Sequence, residues 1–207
     1  MEMFNERVSA VLSAMGRRSP PLGGGAAALL SGLIGLSLIR MAAEITRSED
    51  NAVVADIISR VDELADGLKQ SARADVDAFN EYVAALKLPR DEPDQLSKRE
   101  AALTEAGLRA AETPLSSAIL LVECLEAAAD ISAAIRPDVL SDLYAGAVLL
   151  NGAFLGVLAT ADINLKAERL SDARDDLVRE REAVLGRRDA AVDRIARKAA
   201  EDGYLVQ

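Results

Sequence analysis

The sequence predicts an all-α protein, a compact bundle of about six to seven helices. Half of the 207 residues are hydrophobic, but only six are Phe or Tyr and none is Trp, so aliphatic side chains and alanine must form the core. No stretch shows the alternation of a β-strand, and apolar residues recur at helical spacing instead. We expect residues 1–207 to form a single helical domain, because a chain of this length can bury a full core.

The first two predicted helices flank a turn rich in proline and glycine. Apolar residues recur along residues 3–15 at the spacing of a short amphipathic helix, and Ser19-Pro20-Pro21 ends it. The glycines Gly23, Gly24 and Gly25 let the chain turn into a very apolar helix over residues 26–46. Backbone N–H groups at the start of such a helix can bind a carboxylate or phosphate. The same features suit a closely packed core helix, and the pattern leaves both interpretations open.

The remaining helices follow from capping residues, prolines and apolar periodicity. Ser48 to Asn51 supply capping groups, and two prolines, in Thr113-Pro114 and Arg136-Pro137-Asp138, predict breaks between helices. The predicted helices after the second are a long one over 52–87, a charged one over 95–112, an apolar one from 114, a very apolar one over 139–165 and a charged one over 168–201.

Two predicted helices are apolar enough to be tested as membrane spans. Residues 22–39 and 143–161 carry no charge, and each approaches the ~20 residues that cross a bilayer. Both are rich in Gly, Ala and Ser and end at charged residues, which favours core helices of a protein that does not enter the membrane. Such helices must be wrapped by neighbours or buried in a dimer interface, and the pattern leaves both possibilities open. Since no basic leader precedes the first helix, we expect a cytoplasmic protein.

Composition excludes several classes of chemistry. The net charge of −10, from 34 acidic and 24 basic residues, argues against a nucleic-acid partner or an anionic membrane. Histidine is absent, which removes Ser-His-Asp and Cys-His catalysis and the usual histidine metal sites, so we expect no metal. Cys124 is the single cysteine and is expected to be a small buried residue.

Asp75 is the sharpest candidate for chemistry. It lies on the apolar face of the long helix, three residues after Ala72 and four before Phe79, whereas Asp77 points elsewhere. A carboxylate on that face must be paired, protonated or catalytic, because an isolated buried charge is costly. The pattern alone slightly favours a structural Asp75 paired with Arg40 or Arg136 over a catalytic one.

Two further aspartates lie on the second apolar helix. Asp142 is in its first turn, where a negative charge stabilises the helix dipole. Asp162 is near its carboxyl end, where a negative charge is unfavourable, so it needs a partner, and Lys166 is the nearest candidate. The glycine run lacks the spacing and the lysine of a nucleotide-binding loop, although it can still form a generic anion-binding turn.

Several segments, taken in order along nearly the whole chain, resemble the formiminotetrahydrofolate cyclodeaminase and methenyltetrahydrofolate cyclohydrolase family. The segment Asp75 to Pro89 (DVDAFNEYVAALKLP) is the most specific, because it is similar to that family's Asp-x-x-Ala-Phe…Leu-Pro stretch. The other matching segments are Ser19 to Ala26, Met41 to Thr46, Thr113-Pro114-Leu115, Ser141-Asp142 and Ile163-Asn164-Leu165.

The resemblance implies an all-helical dimer with a folate site in a cleft and a tetrahydrofolate derivative as the substrate. It implies that Asp75 is the acid-base residue and so reverses the preference for a structural role. The residues we expect to contact the substrate are Gly23, Gly24, Gly25, Phe79, Asp142, Asn164, Arg40 and Arg136.

The implied reaction is a rearrangement at the one-carbon bridge between N5 and N10 of tetrahydrofolate. In a cyclohydrolase, water attacks 5,10-methenyltetrahydrofolate and the ring opens to 10-formyltetrahydrofolate. In a cyclodeaminase, N10 attacks the formimino carbon and ammonia leaves. One carboxylate can move the protons of either reaction without histidine or metal. We prefer the cyclohydrolase, because no formiminotransferase segment accompanies the chain.

The chain also departs from the family pattern, which keeps two alternatives open. The departures are Leu22, Glu44, Arg136, Thr160 and Asp162. If they line the cleft, the protein is a diverged relative that catalyses a cyclisation or imine-type step on a non-folate small molecule. The second alternative is a non-catalytic dimeric helical scaffold, in which Asp75 is replaceable with no loss beyond stability.

Overall fold

The described residues form six α-helices and no β-strand. We analysed a computed structural model, which describes residues 3–18, 22–48, 52–167 and 170–205. Short 3₁₀ turns occur at Met3–Asn5, Ser132–Ala134 and Pro137–Val139. The predicted all-α class is confirmed. The helices are α1 (Val8–Met15), α2 (Gly24–Thr46), α3 (Ala52–Leu86), α4 (Pro93–Ile131), α5 (Leu140–Leu165) and α6 (Ser171–Glu201).

The two very apolar helices, α2 and α5, pack against each other at the centre of the bundle. Their backbones touch where they cross, since a Cβ on Gly35 would lie 2.6 Å from the Gly146 carbonyl oxygen. The reverse is also true, because a Cβ on Gly146 would lie 2.6 Å from the Gly35 oxygen. Glycine at both positions therefore sets the separation of the two helices, as real Cβ atoms do not approach other atoms so closely.

The long helices α3 and α4 form an antiparallel hairpin beside this central pair. Gly67 faces Leu120 near the middle of α3, and Glu81 accepts a hydrogen bond from Arg109 at 2.7 Å farther along. The outer end of the hairpin has its own small core, formed by Ala85, Leu103 and Ala106 with Tyr82 packed against them. The hairpin therefore extends beyond the main core.

The charged helix α6 closes the bundle against α4 and α5. Leu170, Leu177 and Ile195 are buried, Leu185 and Val192 are partly buried against the core, and the polar face of the helix is exposed. Among the described residues, three ion pairs join the helix to α4 and α5. Arg181 binds Asp162 on α5, and Arg187 and Arg194 bind Glu126 and Asp130 on α4. Cys124 is fully buried, as expected.

The predicted helix break at Thr113-Pro114 is wrong, because α4 runs continuously through Pro114 for 39 residues. A proline inside a helix has no N–H to donate to the carbonyl four residues earlier, which here is that of Ala110. The side chain of Asn164 on α5 supplies the missing donor, with Nδ2 lying 2.5 Å from the Ala110 oxygen. A tertiary hydrogen bond therefore replaces the helical one, and Pro114 stays buried within the helix.

Two helical segments are long and apolar enough to cross a membrane. They are Gly24–Thr46 and Pro137–Leu165, and half of the most apolar window of each is buried inside the protein. That these are core helices of a protein outside the membrane stays a prediction. The predicted turn at Ser19-Pro20-Pro21 and the caps at Glu49, Asp50 and Asn51 lie outside the described residues.

Candidate active site

A cavity of about 880 Å³ opens between α3, α4, α5 and the amino-terminal end of α2. The glycine turn Gly23–Gly25 forms one wall, and mostly apolar residues of the three other helices form the rest. Asp75 and Lys166 are the charged residues among those described that line it. A cavity of this size, mostly apolar with a few polar groups, is typical of sites for small organic ligands.

Asp75 lies at the inner end of this cavity, directly against the start of α2. A Cβ on Gly25 would lie 2.5 Å from Asp75 Oδ1 and 2.8 Å from its Cγ, so only glycine leaves room for the carboxyl group. The neighbouring backbone N–H of Ala26 donates a hydrogen bond to that carboxyl group. The predicted anion-binding turn thus exists, and within the described residues its anion is the protein's own aspartate.

Two opposing effects set the pKa of Asp75. Burial raises the pKa above the ordinary aspartate range, since the charged form loses water. The hydrogen bond from Ala26 lowers the pKa and is the smaller effect. The expected ion pair with Arg40 or Arg136 is absent among the described residues. A carboxyl group with a raised pKa and no cationic partner is suited to exchange protons with a ligand.

Aromatic side chains continue the same face of α3 toward the cavity mouth. Asp75, Phe79 and Tyr82 are spaced four and three residues apart, and all three line the cavity. Phe79 is 59% exposed, although it is a large apolar side chain next to a cavity. This face offers flat surfaces on which a planar ring can stack.

Asn164 also lines the cavity, but the bond to Ala110 already engages its amide nitrogen. Its position therefore depends on Pro114 one helix away. The predicted contact between Asn164 and a ligand remains possible only through the rest of the amide, since Nδ2 serves the backbone of α4.

Three of the predicted substrate contacts lie outside the cavity lining, so their contact with a substrate stays a prediction that this cavity does not support. Arg40 binds Asp62 on α3, with Nε 2.5 Å from Oδ1. Arg136 binds Asp138, with 2.7 Å between the Arg136 guanidinium and Asp138 Oδ2. Asp142 lies in the first turn of α5, where the helix-dipole role is the one that its position supports. Sequence matching could not separate these residues from the site, because cleft and surface positions alternate on the same helices.

Most departures from the family pattern also lie away from the cavity. Glu44 pairs with Arg40 and Arg47, and Asp162 pairs with Arg181 rather than with the predicted Lys166. Leu22 is buried and lines a separate small pocket of about 260 Å³ beside α3. Among the five departures only Thr160 lines the main cavity. They therefore do not form a group that reshapes the site.

The sequence analysis missed three polar residues of the cavity, Tyr82, Thr113 and Lys166. Tyr82 could have been found from its spacing, because it follows Asp75 by seven residues on one helical face. Thr113 and Lys166 carry no such signal. They reach the cavity only because α4 passes through Pro114 and α5 ends beside the hairpin.

Comparison with known proteins identifies the family of this chain. The family model described as Formiminotransferase-cyclodeaminase matches residues 7–183. The chain belongs to this family. The family predicted from the sequence is therefore confirmed, and the relatives found include enzymes of folate one-carbon chemistry.

The relatives differ in how much of their length this chain covers. A methenyltetrahydrofolate cyclohydrolase of Methylorubrum extorquens is 27% identical over 92% of this chain and 94% of its own length. A formimidoyltransferase-cyclodeaminase of Gallus gallus is 26% identical, but the chain spans only 31% of that protein. The crystal structure of formiminotetrahydrofolate cyclodeaminase from Thermotoga maritima has the same fold, with a TM-score of 0.84 and 20% identity over 97% of this chain and 99% of that one.

The contact between Gly25 and Asp75 predicts that substitutions at these two positions have strongly non-additive effects on the free energy of unfolding. We expect Gly25→Ala to destabilise the protein by about 1–3 kcal/mol, because the added methyl group overlaps the carboxyl group. In an Asp75→Ala background the same change should cost much less, since the overlapping atoms are gone. Urea unfolding of the four proteins measures the coupling.

Gly186→Ala is the matched control, because a Cβ there meets no atom within 4 Å. It should stabilise α6 by roughly 0.5–1 kcal/mol and show no coupling to Asp75. Equal effects of Gly25→Ala in both backgrounds would contradict the close contact.

Proposed function

We propose that this protein hydrolyses 5,10-methenyltetrahydrofolate to 10-formyltetrahydrofolate, with Asp75 as the acid-base residue. The observation that carries the proposal is the position of Asp75, a partly buried carboxyl group with a raised pKa at the inner end of a ligand-sized cavity. The membership of the chain in a family of folate enzymes supplies the substrate class.

The charge of the substrate fits the charge of the cavity. The methenyl bridge carries a positive charge shared between N5 and N10, and Asp75 is the acidic residue among the described cavity-lining residues. A carboxylate in a poorly solvated site attracts such a cation more strongly than it would in water. The Ala26 N–H and the absence of a Cβ at Gly25 hold that carboxylate in place before the substrate arrives.

Asp75 can move every proton that the ring opening requires except the one released to solvent. As a water oxygen bonds to the methenyl carbon, the Asp75 carboxylate takes a proton from that water, and a neutral tetrahedral carbon results. Asp75 then returns the proton to N5 as the bond between N5 and the carbon breaks. The hydroxyl proton leaves to solvent as the formyl C=O forms on N10, so the net change is addition of water and loss of one proton.

The cyclodeaminase reaction uses the same carboxylate and is the second candidate. There N10 bonds to the formimino carbon and loses its proton, which Asp75 can carry to the formimino nitrogen. That nitrogen takes a second proton from solvent and leaves as ammonia when its bond to the carbon breaks, and the methenyl cation results. The cyclohydrolase is favoured because the relative of that name is 27% identical over nearly its whole length, whereas the cyclodeaminase of Thermotoga maritima, which also matches end to end, is 20% identical. A diverged non-folate reaction has less support, because four of the five departures lie away from the cavity.

We infer that the protein is a cytoplasmic homodimer that needs no metal. Support for the dimer comes from exposed apolar side chains on α2 and α5, the two central helices. A second copy of the chain can cover both sets, because the two helices pack directly against each other at Gly35 and Gly146. The exposed residues are Ile34, Met41 and Ile45 on α2 and Val148, Leu149 and Leu155 on α5.

The dimer proposal predicts twice the chain mass in solution. Light scattering on the purified protein should give about 44 kDa from the chain mass of 21.9 kDa. Val148→Glu should give the monomer, because a charge would be buried in the interface. A monomeric wild type, or partition into detergent micelles, would contradict the proposed dimer face.

The catalytic proposal predicts that Asp75→Asn removes the activity. The loss should be roughly 100-fold or more in kcat/KM, since a positioned acid-base group contributes at least that much. The measurement is the fall of the methenyltetrahydrofolate absorbance in purified protein, with circular dichroism to verify the fold.

Asp77→Asn is the matched control, because Asp77 is two residues away, exposed and outside the lining of the main cavity. It should keep the wild-type rate. Full activity in Asp75→Asn, or no activity in the wild type, would overturn the proposal.

A further inference from the structure

The cavity has a second charged end, which the proposed chemistry does not use. Lys166 lines the cavity just after α5, and its side chain forms no hydrogen bond or ion pair within the described part of the chain, although its charge helps to lower the pKa of Asp162. Its acidic neighbour Asp162 is already bound by Arg181 through both carboxylate oxygens. The Lys166 ammonium group is therefore available to a ligand.

The helix pairings place Lys166 far from Asp75. Glu81 on α3 bonds Arg109 on α4, and Asn164 on α5 bonds Ala110 on α4, so Glu81 and Asn164 lie at about the same level. Since α3 and α5 both run antiparallel to α4, they run parallel to each other. Asp75 is six residues before Glu81 and Lys166 two residues after Asn164. The two charges are thus roughly 12 Å apart along the helix axes, at 1.5 Å per residue.

The surface between the two charges is apolar and aromatic. Phe79 and Tyr82 on α3 face Ala110 and Gly107 on α4, and these small residues leave room for a flat group. The cavity therefore has an acidic inner end, a flat middle and a basic outer end. A ligand that fits all three has a cationic reactive part, a planar spacer and an anionic tail.

We propose that Lys166 binds the carboxylate tail of the substrate. It thereby gives the site its preference for pterins that carry a glutamate over pterins that lack one. This rests on the proposed function, because tetrahydrofolate carries a benzoyl amide spacer and a glutamate with ionised carboxylates beyond the one-carbon bridge. The strongly acidic chain repels such a tail elsewhere, so one unpaired lysine at the cavity mouth directs the tail to this end. Lys166 touches no reacting atom and acts on binding alone.

The test compares Lys166→Met with the wild type on two substrates. One is 5,10-methenyltetrahydrofolate, and the other is the same pterin without the glutamate. Lys166→Met should raise KM for the tailed substrate roughly three- to fivefold, with kcat within about twofold, as expected for a solvent-accessible ion pair. The difference should shrink at high salt, and KM for the tail-less substrate should not change.

Two variants complete the test. Lys166→Arg should restore the wild-type KM, because it keeps the charge. Lys98→Met is the charge-matched control, since Lys98 is exposed on α4 and outside the cavity lining, and it should change nothing. An active wild type whose KM is insensitive to Lys166→Met overturns the tail site alone. A wild type inactive on both substrates overturns the proposed function and the tail site with it.

Discussion

The contact between the Asp75 carboxyl group and the first turn of α2 is the constraint on which the site depends. A carboxyl group on the apolar face of α3 loses much of its hydration, which costs free energy unless other groups compensate. The open end of a helix provides unpaired N–H groups, and here the Ala26 N–H donates to Asp75. The compensation is partial, because the pKa of Asp75 still lies above its ordinary range. The residue is held firmly and yet can exchange a proton.

The remainder of the bundle keeps this contact and its cavity in place. The glycine crossing at Gly35 and Gly146 fixes α2 on α5, so the start of α2 cannot move away from α3 independently. Pro114 leaves the Ala110 carbonyl without a helical donor, and Asn164 ties that carbonyl to α5. Both contacts join helices that form cavity walls. The site is thus built on rigid elements, as the positioning of catalytic groups requires.

The sequence predicted the inner end of the site, around Asp75, better than the outer end, around Lys166. The helical class, the buried position of Asp75 and its closeness to the glycine turn all follow from periodicity or from the family resemblance. Arg40, Arg136 and Asp142 lie outside the cavity lining although a substrate contact was expected of them, since periodicity shows which face of a helix is buried but not which neighbour the other faces meet. The continuity of α4 was missed for a related reason. Nothing local to Pro114 indicates that Asn164, 50 positions later, replaces its missing hydrogen bond.

The positions of the departures from the family pattern argue against a changed substrate. Glu44, Arg136 and Asp162 are each paired with a charged neighbour outside the cavity lining, so they mark surface ion pairs rather than a new substrate. Exposed pairs of this kind contribute little to stability, commonly about 0–1 kcal/mol, and such positions can vary with little effect on the fold. Thr160 is the departure that remains next to the proposed substrate site.

The titration of the Asp75 carboxyl group tests the central claim most directly. Carbon-13 NMR of protein labelled at the aspartate carboxyl carbon gives this pKa, and the signal that disappears in Asp75→Asn identifies the residue. The account predicts a pKa above the ordinary aspartate value of about 3.9, and an activity that falls as the pH drops through it, because the base must be ionised. A pKa at or below the ordinary value, or an acid limb of activity unrelated to it, would contradict the account.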